Sequence, residues 1–340
     1  MRSTELRRDR ARGTILPLAA LLLFCMAMLA LWVAQLHTGA LRLATQEVRA
    51  RELFAAAGVG LETALAQAAP LLANAPPVFD ADGRFRIAGP AGAHGDGVRY
   101  ETFFHNETLL PFDPGIVEIE AKALDESGGV RRQRQQARLR PWLATIPSAP
   151  LIAHRGVSLP SELSLRNAAG DVLAWSGGAF SAPGAALDVP AATRCPPTGI
   201  CDWTSALATF EADAAFEYWF ARERATLRTL SATHADVGWL EADGGVIIEG
   251  AASHGSALAP RLLIIAGDLE VRGTLAVHGV LYVNGSLTGG AGEITIHGAM
   301  IVAGDAMHQG PMTIDYEPGA LQALAQRGSY VRIPGSWNDF

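Results

Sequence analysis

The chain has 340 residues, 49% of them hydrophobic, and a formal net charge of −7. That length suggests two or three structural units with ample material for a core. The acidic balance leaves no overall basic footprint, so no nucleic-acid partner is expected.

From Thr14 to Leu36 there is no charged side chain, and Gln35 is the one strongly polar residue. As a helix those 23 residues reach about 35 Å, enough to cross the hydrocarbon core of a bilayer. A buried helix of a soluble protein is seldom this long and this apolar on every face. Arg2, Arg7, Arg8, Arg10 and Arg12 precede the run, against Glu5 and Asp9. The positive-inside bias therefore keeps residues 1–13 in the cytoplasm, makes 14–36 a single transmembrane span, and sends the rest across the membrane. A cleaved secretory signal is the competing reading. Its apolar core runs about 7–15 residues and ends in an Ala-x-Ala-like site, for which Ala30-Leu31-Trp32-Val33-Ala34 is a poor substitute.

Past the span the chain reads helical to about Ala73, with residues 37–73 as an amphipathic periplasmic helix. Phe54, Leu61, Leu65 and Leu72 fall on one stripe that predicts packing on a globular part. Pro70 and Asn74-Ala75-Pro76-Pro77 end the helix. Residues 78–145 form a small β-rich unit. Val98–Phe103 and Ile116–Ala123 alternate, and Ser127-Gly128-Gly129 turns the second strand into a hairpin with 131–143. Arg131, Arg132, Arg134, Arg138 and Arg140 on the return strand admit an anionic partner such as DNA or lipid headgroups. A solvated edge strand, kept from aggregating by its charge, is the preferred reading.

Residues 150–340 are expected to be a β-solenoid domain with a helix inserted at about 205–230, whose Phe210, Phe216, Tyr218, Trp219 and Phe220 suggest a core or interface stripe. Glycines recur every six residues at 267, 273, 279 and 285, then at 298, 304 and 310. Four residues before them stand Leu263, Leu269, Leu275, Leu281, Ile294 and Met300; two before stand Ile265, Val271, Val277, Val283, Ile296 and Val302. Two apolar columns between turning glycines describe stacked coils of short strands. Ala306 and His308 weaken the columns before Gly310 and read as a cap. The whole is α+β: a transmembrane helix running into an amphipathic one, a β-rich unit and a β-helix-like solenoid.

Cys25 lies inside the span. Cys195 and Cys201 bracket Pro-Pro-Thr-Gly-Ile, which in an oxidising periplasm predicts a disulfide, with two free thiols as the alternative. No nearby residues complete a metal site. Histidines 254, 278, 297 and 308 invite a catalytic reading, but His278 and His297 immediately precede turn glycines and should point outward at a corner. No nucleotide loop or nucleophile elbow is present. We therefore assign no catalytic residues, cofactor or metal.

An arginine-rich leader ending in Gly13, an apolar helix beginning at Thr14, and Phe54-Ala55-Ala56-Ala57 with Leu61-Glu62 stand in a fixed order. They are followed by Ala174-Trp175-Ser176-Gly177-Gly178 and by Tyr330–Phe340, which is similar to a closing Val-Pro-Gly-Ser-Trp-Arg-Asp-Phe. In this the chain resembles the PilX-type minor pilins of type IV pilus assembly, over most of its length and least at 78–145. Two positions depart: Leu18 replaces the glutamate of most pilins, which PilX-type members and tip pseudopilins also lack, and Gly58 replaces an acidic residue. The resemblance implies cleavage between Gly13 and Thr14 by a prepilin peptidase and a structural role in priming pilus assembly, with a contribution to motility or adhesion. It also implies a bacterial inner membrane as the one spanned, the bulk of the chain in the periplasm or in the extracellular pilus, and partnership with major and minor pilins, the inner-membrane assembly machinery and membrane lipid. The alternatives are a type II secretion pseudopilin, a membrane-anchored solenoid scaffold similar to bactofilins, and a tethered carbohydrate-active enzyme.

Overall fold

A computed structural model describes residues 5–74, 78–79, 85–95, 97–106, 115–159, 162–170, 172–183, 185–188, 200–202, 209 and 211–339. Helix α1 (Glu5–Asn74) is one uninterrupted element of 70 residues, about 105 Å long at 1.5 Å per residue. Gly39 does not break it, and it stops where the proline cluster begins. Its second half buries Leu53, Ala56, Ala57, Leu61, Ala64 and Ala68. These positions recur at helical spacing along one face. Four of the six are alanines, which lets the helix lie close to the sheet beneath. At Gly60 even a methyl group would meet Tyr100, Thr102 and Ala121 at 3.0–3.3 Å. Of the stripe expected from sequence, Leu61 is buried in this core and Leu65 and Leu72 pack half-buried against it, whereas Phe54 is 41% exposed.

The sheet under α1 comprises β1 (Val78–Phe79), β2 (Phe85–Ala93), β3 (Val98–Asn106), β4 (Ile116–Asp125) and β5 (Val130–Pro141), all antiparallel. Gly128, at φ +85°, makes the turn of the β4–β5 hairpin. Two strands from the end of the chain complete this sheet, so it is not confined to residues 78–145. They are β23 (Gly328–Arg332) and β24 (Asn338–Asp339), and both pair with β5. The arginine-bearing strand is consequently interior, not an edge. Its second neighbour lies roughly two hundred residues away in sequence, beyond any local pattern.

Between these strands lie β6 (Leu151–Ala153), β7 (Val157–Ser158), β8 (Leu163–Arg166), β9 (Ala174–Ser176), β10 (Phe180–Ser181), β11 (Ala186–Asp188) and β12 (Ile200–Asp202). Helices α2 (Ala212–Phe220) and α3 (Arg224–Ser231) follow. The single inserted helix expected there is broken at Ala221, whose left-handed φ of 48° ends the first piece. Then come β13 (Val237–Leu240), β14 (Val246–Ile248), β15 (Ala251–His254), β16 (Arg261–Ile265) and β17 (Leu269–Val271). They are succeeded by β18 (Thr274–Val283), β19 (Leu287–Thr288), β20 (Glu293–Val302), β21 (Ala306–Met307), β22 (Met312–Asp315) and α4 (Pro318–Gln326).

Every pairing among β6–β22 is parallel. The strands form two sheets that share one apolar interior, and both predicted columns, from Leu263 to Val302, are buried in it. Burying one such leucine or isoleucine contributes about 1.5–3 kcal/mol, so the regular columns supply most of the drive for stacking. Strands β18 and β20 pass through Gly279 and Gly298 without interruption, so these glycines bend continuous strands instead of separating short ones. Ala306 and His308 do not cap the stack. Strands β20, β21 and β22 pair onward with β6, β7 and β8, so the first strands of this region are laid against its last. Ala306 is narrow but fully buried opposite Val157. The other face of the larger sheet, with Leu262, Ile264, Val280, Tyr282 and Ile301, is covered by Phe216 and Phe220 of α2, Leu227 of α3 and Leu321 and Leu324 of α4.

Candidate functional site

The largest feature without an internal partner is the first half of α1. Leu16, Leu21, Leu23, Phe24, Leu29, Leu31, Trp32 and Leu36 are all more than half exposed. Within the described residues this is the one helix long and apolar enough to cross a membrane. A bilayer covers about 20 residues of helix, yet the first buried residue is Leu53. Residues 37–52, about 24 Å of helix, therefore lie between the expected span and the globular part, with Leu41, Leu43 and Val48 exposed. Gly13 and Thr14 fall inside the helix, upstream of this surface.

Where α1 reaches the sheet, a cleft of about 420 Å³ opens between helix and chain end, lined in part by Phe54, Val59, Gln133, Gln135 and Trp337. Trp337 meets Phe54 edge-on at 5.9 Å. Gln133 Nε2 donates to the Phe54 carbonyl at 3.0 Å, and Arg332 pairs with Glu62. The closing motif is legible here as a fold-back. Gly335 takes φ +77°, and Ser336 Oγ accepts from the Gln136 amide at 3.2 Å and donates to the Ile333 carbonyl at 2.6 Å. Trp337 is thereby brought onto α1. Sequence reading recognised the motif as a family mark and missed this physical role.

The other predicted residues lie elsewhere. Cys195 is outside the described residues, and Cys201 sits in β12, its side chain likewise outside them. His278 and His297 occupy adjacent rungs, half-buried, with rings stacked at 4.5 Å. His297 Nδ1 stands 3.7 Å from Asp315 Oδ2 on the next rung, and Arg166 Nε 3.8 Å from Asp315 Oδ1 on the one after. These side chains run parallel, one per rung, and do not converge on a point where a reacting atom could sit. His254 is half-buried, while His308 is buried with Nε2 2.9 Å from the Gly292 carbonyl oxygen.

Buried histidines give the molecule an acid sensitivity. Burial lowers His154 from 6.5 to about 4, and it lowers His308, His254 and His234 in the same direction. A group whose folded pKa is depressed takes up its proton first in the unfolded chain. Stability is therefore full above the ordinary histidine pKa near 6.5 and falls as the pH drops toward 4. At about 1.4 kcal/mol per tenfold change in proton affinity, His154 alone costs about 3 kcal/mol by the acid end of that window. Melting temperature measured from pH 7.5 to 4 is expected to fall along this curve, with a shallower fall in His154→Gln.

No family model and no curated protein matches the sequence. Among solved structures, the competence-associated pilin ComZ from Thermus thermophilus is similar at 11% identity, over 78% of this chain and 86% of that one, with a TM-score of 0.20. A superposition at that score does not establish a shared fold.

Proposed function

We propose that this chain is a membrane-anchored, minor pilin-like subunit of the PilX type that takes part in priming type IV pilus assembly. The observation that carries this reading is the division of α1. Its stretch from Thr14 to Leu36 is charge-free, is exposed from Leu16 onward and directly follows Arg12-Gly13, while its second half lies on an antiparallel sheet through alanines and leucines. Such a helix can pass from lipid into a helical assembly without changing its conformation, because its apolar surface needs a partner in both places. The parallel strand stack is read as a β-solenoid carried at the far end of this anchor. The role is structural and not catalytic, which the one-per-rung histidine row supports. The partners on this reading are other pilins, the assembly machinery and a prepilin peptidase acting between Gly13 and Thr14, with the bulk of the chain periplasmic.

Intact mass and N-terminal sequencing of the protein, taken from membranes and from a sheared-pilus fraction, test the proposal. A chain beginning at Thr14 and present in sheared pili is the expected result. A chain still beginning at Met1, or cut near Ala34, and absent from pili would overturn it.

A further inference from the structure

The arginines of β5 were best explained as protection for an edge strand, and β5 is not an edge. Its Gln133 and Ala137 are buried on the side facing α1. The alternation of a strand then sends Arg132, Arg134, Arg138 and Arg140 to the opposite face. On β4 and β3 the same alternation buries Ile119 and Phe104 and turns Glu120 and Arg99 outward.

Part of this face is internally neutralised. Arg134 pairs with Glu120 at 2.9 Å and with Glu118 at 3.6 Å, and His105 Nε2 lies 3.5 Å from Glu120. His105, helped by Arg134, holds the Glu120 carboxyl far below the usual carboxylate range against the opposing cost of burial. Arg86 lies 3.6 Å over the Phe103 ring. The remainder is not neutralised. Arg99, Arg132, Arg138 and Arg140 are exposed and form no ion pair among the described residues. Like charges on one strand face repel, and an interior strand gains nothing from them as an aggregation guard. A protein of net charge −7 thus carries a face on which four exposed arginines outnumber the one exposed carboxylate, Glu101.

We propose that this face binds the phosphodiester backbone of double-stranded DNA without sequence preference. Guanidinium forks match phosphate oxygens two at a time, and four of the cations left unpaired here are exposed arginines, with Lys122 half-buried beside Arg132. From Arg132 to Arg140 the strand covers about 27 Å, the rise of roughly eight phosphates along one DNA strand. Single-stranded nucleic acid wants aromatic platforms for its bases, and the Phe103 ring on this face is already covered by Arg86. The inference is independent of the pilus reading and departs from the expectation drawn from overall charge, because the basic footprint is local.

Fluorescence anisotropy of the full chain in neutral detergent micelles, titrated into a labelled duplex of about 30 base pairs, tests it; log affinity should fall against log salt with a slope of about −2 to −4. The exposed-residue triple variant R132Q/R138Q/R140Q should lose about tenfold or more at low salt. Arg155→Gln, on the parallel stack, should bind as the parent does. All variants should keep the parent's melting temperature, so that lost binding is not lost folding. Absence of duplex binding at low salt, binding that survives the triple change, or displacement of the duplex by dextran sulfate at equal charge without the reverse would each overturn the assignment to DNA.

Discussion

Gly298→Ala is expected to destroy the cooperative melting of the parallel stack, whereas Gly267→Ala leaves stability within about 0.5 kcal/mol of the parent. Both glycines belong to the same six-residue periodicity, but their surroundings differ. Gly298 has φ +144° and sits in register beside Gly279 at φ +127°. A methyl group added to Gly298 would overlap the Gly279 carbonyl oxygen, and one added to Gly279 would overlap that of Arg261. Each rung therefore bends by laying bare backbone on bare backbone. The conformation costs a non-glycine residue about 1–3 kcal/mol, and forcing a methyl into closed packing adds about 1–3 kcal/mol. Their sum of about 4 kcal/mol is a large part of the 5–15 kcal/mol that typically holds a domain together. Around Gly267 nothing lies within 4 Å of the added atom, and its φ is ordinary. Circular dichroism melts of the two variants, with limited proteolysis of the region from Val237 to Asp315, read the difference directly. Equal melting of both would mean that the corner is not built on this backbone contact.

The glycine contrast shows what was legible in the sequence and what was not. Periodicity located the columns, because Leu263 through Val302 repeat within one continuous stretch and each rung contacts the next one in the chain. The length and exposure of α1 were equally open to reading, since a run without charge needs no tertiary information to be recognised. Three features depend on contacts between distant residues and left no local trace. The helix face that packs on the sheet is mostly alanine around Leu53 and Leu61, and alanines carry little hydrophobic signal next to Phe54 and Leu72. The neighbours of β5 come from the chain end, so an interior strand looked like an edge. The coil containing Leu151, Val157 and Leu163 falls within the solenoid expected at 150–340 and keeps the six-residue spacing, but its place beyond Met312 at the far end of the stack comes from distant pairings. In the candidate site, Gly13 and Thr14 were singled out by the leader pattern, while the Phe54–Trp337 contact required the fold-back at Gly335 to be seen.

Arg222→Met should lower stability by about 3 kcal/mol and loosen β23 before the rest of the molecule. Arg222 follows the left-handed residue Ala221 in the link between α2 and α3, and is 3% exposed. Its Nη1 donates to Ser329 Oγ at 2.8 Å, its Nη2 donates to the Arg140 carbonyl, and its guanidinium lies 5.0 Å over the Trp142 ring. One side chain thus joins the helical cover of the parallel stack to both β5 and β23 of the antiparallel sheet. Burial, and secondarily Arg140, lower its pKa to about 10, so it remains a cation at neutral pH. A hydrogen bond to a charged donor contributes about 1.5–3 kcal/mol. The burial that depresses the pKa offsets part of that gain, which keeps the expected net loss well below the sum of the bonds. Methionine fills much of the volume but leaves the Arg140 carbonyl and the Ser329 hydroxyl without their donor. Arg222→Lys should recover less than half of the loss, because a compact ammonium lacks the rigid planar fork that spans these two acceptors and stacks on the Trp142 ring. Hydrogen exchange is the discriminating measurement. Early exchange at Gly328–Arg332 in the methionine variant, with β18 and β20 still protected, is the expected pattern. Uniform loss of protection would show instead that Arg222 supports the stack as a whole and not the joint between the two sheets.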